Sequence, residues 1–119
     1  NGLLSAGYLV LMDIETVGAG ILQRRRNDLK APLVDIFLMP PGESVEDRVS
    51  ELRRRLEVRK TDPPDVIAQR MDEAPAEMER AKLFSYVVVN ADQYRAFIEL
   101  LLIIEHARRI VRIDLVSGR

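Results

Sequence analysis

The sequence predicts an α/β fold, a parallel sheet with flanking helices. Three observations predict it. The run at residues 8–12 is apolar and unbroken, as in a strand buried on both faces, and the mostly apolar runs 33–39 and 84–90 read as a second buried strand and a third. The stretches after them carry apolar residues at three- and four-residue spacing, the period of an amphipathic helix. Strand and helix alternate along the chain without an internal repeat or low-complexity linker, and such alternation means parallel strands joined by crossovers.

The first run, "YLVLM", ends at Asp13. "ETVGAGILQRRRND" then reads as a helix with Val17, Ile21 and Leu22 inward and basic residues toward its C-terminal end, where cations suit the helix dipole. Gly18 and Gly20 weaken its first turn. The second run, "LVDIFLM", is stopped by Pro40 and Pro41. "ESVEDRVSELRRRLEV" follows as a helix with Val45, Val49, Leu52 and Leu56 inward. Thr61 or Asp62 can cap the next helix, Pro63 and Pro64 fit its first turn, and Val66, Ile67 and Met71 form its buried side. Pro75 is expected to kink or split that helix. "FSYVVVN" is the third strand, and "ADQYRAFIELLLIIEHARR" the last long helix, with Phe97, Leu101 and Ile104 inward. The tail "IVRIDLVSGR" reads as an added strand or a loose end.

With 119 residues the chain suffices for one domain with a single core. Hydrophobic residues make up 47% and charged residues 31%, ordinary values for a globular protein. A net charge of −1 offers no global field for nucleic acid or an acidic membrane, so any anion site must be local. The absence of cysteine excludes disulfides and thiolate metal sites and fits a cytoplasmic protein. No apolar run reaches the roughly 18 residues that cross a bilayer. The first residues lack a basic leader and read as the middle of something rather than as a signal peptide.

In an open parallel sheet, ligands bind beyond the carboxyl ends of the strands. Asp13, the Pro40–Pro41 pair and Asn90 fall there. An acid after a buried strand suits the metal side of a phosphoryl-transfer site, and equally suits capping of the next helix. Arg55 and Arg59 share a helix face, and Arg70 lies past the proline break, on a helix able to fold back. Guanidinium forks facing inward from two helices would match phosphate oxygens bidentately. The charge pattern by itself favours a solvated surface instead: Glu51 can pair with Arg55, and Asp47, Glu57 and Asp62 are further partners. His106 is the only histidine and, beside Arg108 and Arg109, is read as capping carbonyls near a helix end. Arg24, Arg25 and Arg26 read as a solvated helix terminus. Few aromatics means no stacking platform for single-stranded nucleic acid. No GxxxxGK[ST] stretch is present in the sequence.

Five segments, in order, resemble the C-terminal half of guanylate kinase, which transfers a phosphoryl group from ATP to GMP. They are "GYLVLMDIETVGA", "IFLMPPG", "RRLEVRKTDPPDVIAQRM", "EAPAEM" and "FSYVVVNAD", and they span about Gly7 to His106. The resemblance implies a P-loop NTPase-type parallel sheet with flanking helices, lacking the N-terminal phosphate-loop strand. It implies a partial domain over 1–119, with a core at 1–50 and 82–119 and an ATP lid at about 51–81. Arg55, Arg59 and Arg70 match the arginines of the mobile lid that closes over the ATP phosphates. Asn90 matches an asparagine beside the adenine, Asp13 an acid near magnesium and the phosphates, and Glu15 an acid on the GMP side. ATP, GMP and Mg2+ carried with ATP are thereby implied as ligands. With the resemblance counted, a phosphate clamp outweighs a solvated surface for Arg59 and Arg70.

The chain departs from the family pattern at several points. Lys60 replaces a frequent glycine, Val17 a usual glutamine, and Pro63 and Pro64 polar or acidic residues. Pro75 lies inside the second lid helix, and about six extra residues lengthen the helix after Pro41. The family's phosphate loop and GMP-binding domain precede the matched segments. Its first strand lies between those matching 8–12 and 33–39, so a sheet without that strand must close up or be completed by a partner: the missing half or a second copy. The expectation is therefore a guanylate kinase portion that supplies lid and adenine-side residues and has little or no turnover alone. A non-catalytic guanylate-kinase-like interaction module is the competing reading, disfavoured by the retained Arg55, Arg59, Arg70 and Asn90.

Overall fold

The computed structural model describes residues 11–14, 16–29 and 32–117. The chain divides into two compact units, Asn1–Asp35 with Leu101–Arg119, and Ile36–Leu100.

The second unit holds the sheet. Strands β1 (Ile36–Met39) and β2 (Tyr86–Val89) pair in parallel, Ile36 opposite Tyr86 and Met39 opposite Val89. The Asn90 amide adds one more rung to the Met39 carbonyl at 2.8 Å. The α/β class is as read from the sequence. The expected strands 33–39 and 84–90 are shorter at their starts, because residues 33–35 and 84–85 carry no sheet pairing. Proline, which lacks an N–H to donate, follows β1 at once and ends it at Pro40.

Burial in the paired strands is only partial, although the second run was expected to be a buried strand. Val88 is 2% exposed and Met39 is buried, whereas Leu38, Val87 and Val89 are exposed. Two strands are paired among the described residues, so each has an open edge, and several of their side chains stay exposed. Of the run expected as a first strand, residues 8–10 lie outside the described residues. Leu11 and Met12 are exposed and belong to no strand.

Between the strands run two helices. Helix α2 spans Val45–Arg59; its N-cap Ser44 accepts a hydrogen bond from the Asp47 amide at 3.1 Å, and Glu46 and Asp47 add negative charge to its first turn. Upstream, Gly42 has φ 149°, and a Cβ there would stand 2.9 Å from the Arg48 nitrogen, so glycine is required. Leu56 is buried and Val49 and Leu52 are partly buried against it, as the spacing predicts; Val45, in the first turn, stays exposed.

Helix α3 spans Pro64–Arg80. Its N-cap is Pro63, with no side-chain cap, so neither Thr61 nor Asp62 plays the capping part, and of the two prolines only Pro64 lies in the first turn. Pro75 does not split it. Ile67, Met71, Ala74 and Met78 are buried at three- and four-residue spacing on both sides of Pro75, and that packing keeps the helix continuous across the missing N–H. Val66 is half-buried. Ala74, Met78 and Ala81 close on Met39, with Phe37, Val49 and Leu52 around them. Leu56, Ile67 and Met71 form a second cluster, which joins α2 to α3. A short 3-10 turn, Ala81–Leu83, leads to Phe84, whose ring meets Phe37 edge to face at 5.4 Å.

Helix α4 spans Gln93–Ser117 and includes most of the tail expected as strand or loose end. No glycine or proline interrupts residues 93–117, and Gly118 is the first breaker. Asp92 Oδ1 starts the helix by accepting from the Tyr94 amide at 2.9 Å. Of the residues expected inward, Ile104 is partly covered but Phe97 and Leu101 are exposed; within residues 93–108, Ala96 and Ala107 are buried, with Leu100 and Ile103 partly covered. His106 sits well inside the helix and is exposed, so it caps no terminal carbonyls.

In the first unit, α1 (Thr16–Arg24) is followed by a 3-10 turn, Arg26–Asp28. Ala19 is its buried residue, while Val17 and Ile21, expected inward, are exposed. Asp35 is buried, accepts from the Gln23 amide and stands 3.7 Å from Arg26 Nη2. Arg24 and Arg25 are solvated, as expected. No helix among the described residues is long and apolar enough to cross a membrane.

Candidate functional site

The carboxyl ends of β1 and β2 open into a cavity of about 290 Å3. Leu38, Pro40, Leu52 and Leu56 give it an apolar wall, and Arg55, Arg59 and Asn90 give it polar edges. Three residues nominated from the sequence therefore line one space, at the place where parallel sheets bind ligands. Four-residue spacing on α2 sets Arg55 and Arg59 on one face, and Asn90 follows β2 directly.

Arg55 is firmly held. Its Nε donates to Glu51 Oε1 at 2.9 Å, its Nη1 to the Asn90 carbonyl at 2.6 Å and its Nη2 to the Ala91 carbonyl at 3.4 Å. Glu51 also receives Arg54 Nε at 3.0 Å and Nη2 at 2.7 Å. The hydrogen bond from Arg54, then that from Arg55, holds the Glu51 carboxyl down to about 2 from the ordinary 4.5. The Glu51–Arg55 pair is the one the charge pattern suggested.

Arg59 and Arg70 converge elsewhere. Arg59 Nε donates to Thr61 Oγ1 at 2.8 Å, and Arg59 Nη2 stands 3.5 Å from Asp62 Oδ2. Arg70 Nη1 approaches the same oxygen at 3.8 Å. Lys60 makes this possible: it ends α2 in the left-handed conformation, φ 54° and ψ 27°, and turns Thr61 and Asp62 back toward Arg59. The sequence offered Asp62 as a helix cap and as one of several surface partners. The signal for more was its place between Arg59 and Arg70 on the turn that joins two helices.

Asp13 is exposed, in the first unit; Glu15 lies outside the described residues. Among the described residues no group of three or more His, Asp or Glu side chains is arranged to hold a metal ion.

A parallel α/β unit with arginine-bearing helices at the carboxyl ends of its strands is the build of a partial P-loop NTPase-type fold. No family model matches the chain. Curated proteins that it resembles include several guanylate kinases. It is 36% identical to the guanylate kinase of Histophilus somni over 110 residues, covering 92% of this chain and 46% of that protein. It is 42% identical to that of Thermus thermophilus over 106 residues, covering 89% of this chain and 44% of that protein. With that of Mesorhizobium japonicum it shares 36% over 120 residues, 97% of this chain and 51% of that protein. The resemblance carried by the five motifs is thus to guanylate kinases and runs over nearly the whole chain. The chain spans about half the length of the curated relatives it matches.

Proposed function

We propose that this chain is the lid and adenine-side portion of a guanylate kinase, acting in ATP-dependent phosphorylation of GMP to GDP. The observation that carries the reading is the cavity at the strand ends, lined by Arg55, Arg59 and Asn90, with Arg70 brought to Arg59 by α3. The cavity's apolar wall suits the flat face of a purine, and the arginines at its rim suit phosphate oxygens. In phosphoryl transfer the protein mainly positions groups and neutralises charge, and the lid arginines supply both.

The residues do different parts of this work. Arg55 fixes the loop after β2 through the Asn90 and Ala91 carbonyls and so sets the adenine edge of the cavity. Arg59 and Arg70 present guanidinium groups, each more than half exposed, to the triphosphate. Magnesium belongs to this reading as an ion carried by the nucleotide phosphates. The described residues form no cage for it, and Asp13 is the acid that the resemblance assigns to its side of the site. The sequence contains no GxxxxGK[ST] loop, so the 119-residue chain by itself is expected to form no GDP at ordinary kinase rates of about 1–100 per second.

The test is a calorimetric titration of the chain with ATP and magnesium. Binding is expected, weakened about tenfold in Arg59→Ala and in Arg70→Ala, as suits the loss of a charged hydrogen bond. Binding that ignores both substitutions would remove the lid reading. No binding at all would favour the protein-interaction module.

A further inference from the structure

We propose that Asp62 is the resting counter-ion of the lid arginines, a carboxylate that occupies the phosphate position between Arg59 and Arg70 until a phosphate displaces it. The proposal rests on the lid reading above and concerns the same two arginines.

Three observations carry it. One oxygen, Asp62 Oδ2, faces both guanidinium groups, 3.5 Å from Arg59 Nη2 and 3.8 Å from Arg70 Nη1. That oxygen is buried and has no hydrogen-bond partner, so it is held by charge without a well-formed bond. And Asp62 gives no side-chain cap to the helix it precedes, because α3 takes Pro63 as N-cap with no side-chain bond. An aspartate just ahead of a helix ordinarily spends its oxygen on the first free amides. Here the oxygen is turned to the arginines instead.

A carboxylate oxygen and a phosphate oxygen are the same kind of acceptor for a guanidinium fork, and phosphate carries more charge and more oxygens. Asp62 side-chain exposure is 22%, against 57% for Arg59 and 52% for Arg70. The acid is therefore shielded beneath two cations whose outer donors stay in water. Both cations are more than half exposed and both contacts are long, so the clasp orders the arginines at rest and yields to a polyphosphate. While it holds, it also keeps two like charges together that would otherwise repel.

The experiment uses the 119-residue chain and inorganic triphosphate, followed through the Nε–Hε signals of Arg59 and Arg70 and the carboxyl carbon of Asp62. In the wild-type chain, triphosphate is expected to move all three together. Arginine signals that move while Asp62 stays put would overturn the proposal. Asp62→Asn keeps the shape and removes the charge. It is expected to shift both arginine signals without ligand and to bind triphosphate about two- to fivefold tighter, the scale of an exposed ion pair. Asp62→Glu restores the charge and is expected to return affinity to the wild-type value. Equal or weaker binding by Asp62→Asn would overturn displacement while leaving the lid reading intact. Absence of triphosphate binding by both chains would overturn the lid reading and the proposal with it.

Discussion

Arg55 donates its Nη1 hydrogen to the main-chain oxygen of Asn90 at 2.6 Å and thereby ties the last turns of α2 to the end of β2. The two residues stand 35 positions apart in the chain, and the tie crosses one wall of the cavity. Arg55 spends its three donor nitrogens on Glu51, Asn90 and Ala91.

Replacing Arg55 by alanine is therefore expected to destabilise the unit by about 1–3 kcal/mol, the range for charged hydrogen bonds that leave a partner unmet. Arg55→Lys is expected to recover only part of this, since one ammonium cannot reach three diverging oxygens. Urea unfolding of the three chains measures it. Identical midpoints would show that the fork holds nothing.

Lys60 predicts a gain. It adopts a left-handed backbone at φ 54°, which costs a residue with a Cβ about 1–2 kcal/mol. Lys60→Gly removes that cost and adds a smaller unfolded-state entropy term, so a net stabilisation of about 0.5–1 kcal/mol is expected. The urea midpoint should rise with its slope unchanged; a fall would mean that the lysine side chain contributes more than its backbone costs.

Glu51 gives the acid dependence. Its folded-state carboxyl is held at about 2, below the 4.5 of the unfolded chain, by hydrogen bonds from Arg54 and then Arg55. A depressed carboxylate stabilises fully above the unfolded value and loses that contribution as pH falls toward the folded one. The stability difference between wild type and Glu51→Gln is thus expected to be constant above 4.5 and to shrink between 4.5 and about 2. Denaturation midpoints across that window check it, and a difference that does not change with pH counts against the pairing.

Much of the lid was legible in the chain itself. The spacing of Val49, Leu52 and Leu56, the Thr-Asp-Pro-Pro break and the buried spacing of Ile67 and Met71 are local signals, and the helices form where they predict. Periodicity was less reliable where both faces are apolar. In α4, leucines and isoleucines surround the axis, so spacing alone pointed to Phe97 and Leu101, while the small residues Ala96 and Ala107 are buried. Pro75 misled for the opposite reason, because a local breaker was outweighed by burial on both sides of it.

The order of segments, the places of the two strands, the helices between them and the likeness to guanylate kinase were all written in the order of residues. They depend on backbone propensity and on patterns a few residues long. The partners of the arginines were not. Arg55, Arg59 and Arg70 have the same long, flexible, charged side chain, and several acids lie within reach of each in sequence. Tertiary structure chose among them, giving Arg55 the carbonyls beyond β2 and bringing Arg59 and Arg70 to one buried oxygen of Asp62. An oxygen's position relative to a guanidinium is set by how two helices pack and by one left-handed residue between them, and neither is encoded in local spacing.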